Sequence, residues 1–114
     1  MIDRWALGLV VLASVSGCAD RFPAPTGAEV EQVELRAAKC MAAKIPELDD
    51  VLSNAKTVGQ SVVQACRPDL QQLLYTMTRN QGPAYARGYE EGFWPNMVEQ
   101  ATVEVLRART AAKR

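Results

Sequence analysis

Cys40-Met41-Ala42-Ala43-Lys44-Ile45-Pro46-Glu47-Leu48-Asp49-Asp50-Val51-Leu52-Ser53-Asn54-Ala55, continued through Val58 and Val62 to Cys66, decides the fold. Pro46 has no backbone N–H to donate and crowds the preceding turn, so a helix arriving from upstream should end or kink near Ile45. The acidic turn Leu48-Asp49-Asp50 follows, and Ser53 is a good N-cap for a second helix whose inner face is Ala55, Val58, Val62 and Cys66. Residues equidistant from the turn of an antiparallel helical hairpin lie side by side. Ser53 stands midway between Cys40 and Cys66, so the two thiols should face each other. In an oxidising compartment they would join. The rival reading is a redox or metal pair, but the spacing is far from Cys-x-x-Cys and the other ligands of a zinc site are missing. A structural disulfide is the expectation.

Upstream, Thr26 opens the first helix as N-cap, with Glu29 three residues on in the reciprocal capping-box pattern. Glu29, Glu31 and Glu34 come early and Lys39 and Lys44 late, the order that the helix dipole prefers. Val30, Val33, Ala37, Cys40 and Met41 form its buried stripe. Downstream, Leu70, Leu73, Leu74 and Met77 continue the second helix's stripe past Pro68, which either kinks that helix or starts a new one capped from Arg67. Asn80-Gln81-Gly82-Pro83 stops it. Tyr85, Tyr89 and Phe93 then recur four apart as an aromatic ridge, beside a second row of Gly88 and Gly92 that would let another helix approach closely. Pro95-Asn96 should break this segment, with Asn96 and Glu99 opening a last helix whose inward side is Met97, Ala101, Val105 and Leu106. The fold class expected is all-α: a disulfide-linked antiparallel hairpin plus C-terminal helices over 28–114, preceded by a linker over 18–27 with two prolines.

Residues 1–17 are a separate matter. The apolar run Trp5 to Val15 is too short to span a bilayer, which takes about 20 residues, and its length suits the core of a secretory signal. It closes on Val15-Ser16-Gly17-Cys18, which resembles the lipobox of bacterial lipoprotein precursors. Asp3 beside Arg4 and Val15 in place of leucine are its departures. The resemblance implies cleavage before Cys18, a diacylglyceryl (palmitate-type) anchor on that thiol, and a mature domain in the periplasm. Ala19 after the cysteine favours the outer over the inner membrane, an inference that Asp20 blunts. An ordinary cleaved signal or an uncleaved anchor would leave the position of Cys18 unexplained. The stretch Cys40, Leu48-Asp49-Asp50, Ser53-Asn54-Ala55 and Cys66-Arg67-Pro68 also resembles a pattern in small exported alphaproteobacterial proteins of unknown function. Here Val51 stands where glycine is frequent there, and Asn54 where aspartate is.

Thirteen basic and thirteen acidic residues balance, so there is no nucleic-acid footprint. Arg107, Arg109, Lys113 and Arg114 form the one local bias, suited either to anionic lipid headgroups or peptidoglycan, or simply to a helix C-terminus. The chain has no histidine, which removes nucleophile-histidine dyads and histidine metal sites. Asp49-Asp50 and Glu90-Glu91 diverge by about 100° on a helix and read as solvated charges. No catalytic residue, metal ligand, cofactor or small-molecule substrate is expected. The expected function is a non-enzymatic envelope lipoprotein that binds or scaffolds another envelope protein, with Tyr85, Tyr89, Phe93 and Trp94 either packed on the hairpin as core or serving as the partner-binding residues. The alternative is a lysis, exclusion or inhibitor-type lipoprotein acting on the membrane or on a mobile-element apparatus.

Overall fold

The first helix begins where its capping signal stands: Thr26 Oγ1 accepts the Glu29 N–H at 3.1 Å, one of the free donors of the first turn. In the computed structural model, which describes residues 23–113, four helices follow in order: α1 (Gly27–Leu48), α2 (Ala55–Ala65), α3 (Arg67–Thr78) and α4 (Pro83–Ala112). The other half of the capping box is not made. Instead of turning back on Thr26, the Glu29 carboxylate takes both terminal nitrogens of Arg79 at 2.6 Å each. A charge-assisted bidentate pair outcompetes a single bond to an amide.

α1 runs antiparallel to the arm formed by α2 and α3. The Cys40–Cys66 disulfide ties the middle of the hairpin, with a Cα–Cα distance of 5.9 Å that lies in the normal range for such bonds, and the Glu29–Arg79 pair ties its open end. Between α2 and α3, Cys66 is the C-cap of one and the N-cap of the other. Pro68 lies in the first turn of α3, where its missing N–H costs nothing, so it marks a new helix. That helix is capped from Cys66, one residue before the expected Arg67.

α4 lies back along the same arm. Arg67 sits over Trp94, Gly59 beside Thr102, and Arg109 reaches the Ser53 carbonyl, so α4 is antiparallel to α2 and parallel to α1. The core is the seam of these helices: Val33, Ala37 and Ile45 from α1, Val58, Val62 and Val63 from α2, Cys66 and Leu70 beyond it, and Phe93, Met97, Ala101 and Val105 from α4. At Gly59 the helices meet closely. A Cβ there would stand 2.7 Å from Thr102 Oγ1 and 3.0 Å from its backbone nitrogen.

Both proline expectations need correction. α1 passes through Pro46 and ends at Leu48, so Pro46 removes only one bond in the last turn while Ile45 stays buried and the Asp49 N–H still reaches the Ile45 carbonyl at 2.9 Å. Pro95 does not break the C-terminal segment: α4 is one helix of 30 residues, not two. Burial of Phe93 before it and Met97 and Ala101 after it outweighs the lost bond. Leu106, expected inward, is exposed, and the N-cap of α2 is Asn54, whose Oδ1 accepts the Lys56 N–H at 2.8 Å.

Ser53 belongs instead to the loop. Asp50 accepts bonds from the Leu52 and Ser53 amides and from Ser53 Oγ, while Asp49 accepts from the Val51 N–H at 2.9 Å and from Arg109 Nη2 at 2.7 Å. These carboxylates are therefore structural rather than merely solvated, which corrects the reading of Asp49-Asp50. Both are held below the usual aspartate range, Asp49 chiefly by Arg109 and Asp50 chiefly by the Ser53 hydroxyl. Glu29 is lowered likewise by Arg79. A carboxylate with a depressed folded-state pKa contributes stability that is present above its unfolded pKa and is lost as pH falls through the folded one. Stability is thus expected to be level near neutrality and to fall below about pH 4. Thermal melts of wild type and of Asp49→Asn against pH will check this: the variant should start lower and lose less on acidification, and parallel profiles would contradict the assignment.

Candidate functional site

Cys18, the expected lipidation point, and the linker up to Phe22 lie outside the described residues, as does Arg114. The face expected to carry a partner site lies in the first half of α4. Tyr85 stacks near Tyr89 with ring centroids 6.2 Å apart, Tyr89 near Phe93 at 6.2 Å, and Phe93 meets Trp94 edge-on at 5.0 Å. The ridge runs from solvent into the core: Tyr85 is 54% exposed, Tyr89 and Trp94 are half-buried, and Phe93 is buried. Phe93 is therefore a core residue, which corrects its place among the candidate contact residues. Trp94 is also engaged, with the Arg67 guanidinium 4.8 Å from its ring centroid, a cation–π geometry.

What the ridge borders is a groove. α1 and α4 run side by side in the same direction without closing on each other, and α3 forms the floor between them. The opening has a volume of about 680 Å³ and is lined by Ala37, Ala38 and Met41 from α1, Leu73 and Met77 from α3, and Gly88, Gly92 and Met97 from α4. Gly88 and Gly92 are exposed on its wall, and a Cβ on either would meet nothing within 4 Å. The small-residue row read in the sequence is thus present, and no helix of the described chain fills it. Three methionines give the groove flexible, polarisable side chains that adapt to irregular shapes. Among the described residues, Glu34 is the one charged side chain along it.

Two cations of the basic tail are paired within the fold. Arg109 holds Asp49 with side chains only 19% and 10% exposed, and Arg107 pairs on the surface with Glu104. Among the described residues, no three His, Cys, Asp or Glu side chains are gathered as a metal would need, and no helix is long and apolar enough to cross a membrane. Arg79 and Gly59 were not singled out in the sequence, and Arg67 and Arg109 were given other roles than the ones they have, over Trp94 and on Asp49. The hairpin register did contain a signal for one of them: with Cys40 opposite Cys66, the start of the first helix falls opposite the end of the second arm, where Arg79 is the nearby cation for Glu29. Comparison with protein-family models, curated proteins and solved structures gave no match.

Proposed function

We propose that this chain is a lipid-anchored helical binding module of a bacterial envelope, held by Cys18 at the periplasmic face of the outer membrane, with no catalytic role. Its task is to dock a helix of another envelope protein. The open groove between α1 and α4 carries this reading, because a bundle with an unoccupied helical position, an apolar floor and small residues on its wall is the surface that an amphipathic helix fits. Tyr89 on its lining, with Tyr85 stacked beside it, supplies contact area at low entropy cost. The lipobox residues support the anchor.

Two measurements test the two halves. Mass spectrometry of the membrane fraction from cells making the full chain should find an acylated N-terminal Cys18, and Cys18→Ala should release the protein from the membrane. A mature N-terminus without lipid, or a retained signal, overturns the anchor. Gly88→Leu combined with Gly92→Leu should fill the groove while leaving the melting temperature unchanged or higher, since each glycine costs a helix about 1 kcal/mol relative to better formers. In-cell crosslinking should then lose partners that the wild type captures. Partners retained by the filled groove would overturn the docking site.

A further inference from the structure

At the opposite end of α1 from the N-terminal segment, about 33 Å along the helix axis, the α1–α2 loop holds aliphatic side chains out of the fold. Leu52 is 92% exposed and Val51 68% exposed, with Leu48 beside them. The loop is not slack: the carboxylates of Asp49 and Asp50 bind the amides of Val51, Leu52 and Ser53, and Arg109 clamps Asp49 to α4. Val51 is held at a φ of 66°, in the left-handed region, which is a genuine outlier for a β-branched residue. Backbone strain of this kind persists where the surroundings over-determine it and clusters at functional positions. A rigid loop that keeps two aliphatic side chains in water has the form of an interface knob.

Beside the knob lies its complement. A furrow of about 1000 Å³ runs between the ends of α1 and α4, lined by Ala42, Pro46, Ala108, Ala111 and Ala112, with Val51 at its edge. The charges are unevenly spread between the two halves. Glu47 and Asp50 flank the knob in sequence, whereas the furrow sets Arg107, Arg109 and Lys113 against Glu104 and Asp49, which pair with the first two and leave Lys113 in excess. A partner of uniform sign would meet like charge on one half, but a second copy turned about a two-fold axis sets acid against base twice. The present partners do not prevent this. Glu47–Lys44 and Arg107–Glu104 are exposed i,i+3 pairs of the kind that contributes little and exchanges readily, and Lys113 makes no ion pair among the described residues.

We propose that this end of the molecule is a self-association surface, in which the Val51–Leu52 knob of each copy enters the alanine-lined furrow of the other and Lys113 meets Glu47 or Asp50 across the axis. The proposal concerns the end away from the α1–α4 groove's glycines and does not depend on what docks there. Its test uses the full chain in mild detergent. Sedimentation equilibrium should show a concentration-dependent dimer, and carbodiimide coupling of mixed ¹⁴N and ¹⁵N protein should give Lys113 joined to Glu47 or Asp50 with both labels. Leu52→Asp should weaken the dimer by about tenfold or more at an unchanged melting temperature. Lys113→Glu should weaken it too, and adding Glu47→Lys to the same chain should restore it. Should Leu52→Asp disturb the fold, the charge reversal and its rescue decide alone. A wild-type chain that stays monomeric up to millimolar concentration, or a dimer indifferent to these variants, overturns the proposal.

Discussion

Cys66→Ala is expected to cost the domain about 3.5 kcal/mol by the chain-entropy argument for a loop of this length. For a folded unit of this size that is a shift of about 15–25 °C in melting temperature, and it approaches the whole stability of a marginal domain. The location of the bond explains why the penalty should not be softened. Cys66 is fully buried at the junction of α2 and α3, where it packs with Leu70 and Val62 in the core. Alanine there removes the sulfur as well as the crosslink. Calorimetry of wild type with and without reductant, beside Cys66→Ala, separates the two: reduction should reproduce most of the loss, and the residue is the cost of the vacated volume. A reduced protein melting with the oxidised one would show that the hairpin is held by packing alone.

Gly59→Val is expected to cost about 3 kcal/mol through overpacking. Valine's first side-chain carbon would stand 2.7 Å from Thr102 Oγ1, 3.0 Å from the Thr102 backbone nitrogen and 3.3 Å from its Cα. The hydroxyl can move only by giving up its bond to the Val98 carbonyl at 2.7 Å, and the backbone atoms can move only if α4 retreats from α2. Gly59→Ala should lose less, because the same contact is opposed by a gain of about 1 kcal/mol in helix propensity. Thr102→Ala relieves the nearest atom but leaves the backbone in place, so in the Gly59→Ala chain it should recover part of the loss and show non-additivity. Urea unfolding of the four chains gives the cycle. A Gly59→Val protein as stable as wild type would mean that α2 and α4 do not approach closely at this point.

Local chemistry was legible where it has one reading. Thr26 as a cap, the stop at Gly82-Pro83 and the facing of Cys40 and Cys66 each follow from residue type and spacing, and the structure has them. Pro46 and Pro95 misled because a proline's penalty is local whereas the burial that offsets it is not: neither Ile45 nor Phe93 and Met97 reveals in sequence how well it will pack. The long-range pairs were opaque for a different reason. Arg109 and Asp49 become neighbours only once α4 is known to pass the hairpin loop, and any of the thirteen cations had an equal claim on that carboxylate. At the candidate site, the Gly88 and Gly92 row was readable from its spacing, but only the packing shows that Phe93 turns inward and that the groove is left empty.

The order of the elements along the chain has a consequence for assembly. Both bonded cysteines precede α4, so a chain exported N-terminus first, as proposed above, has both of them on the far side while the thirty residues of α4 are still in transit. The crosslinked hairpin can then be complete before the helix that covers it arrives, and α4 meets a preformed template instead of a collapsing coil. The late arrival also carries no thiol of its own that could capture a wrong partner. Maturation therefore needs an oxidant but no reshuffling among alternative pairings within the hairpin and α4, and an error in α4 leaves the covalent half of the fold intact.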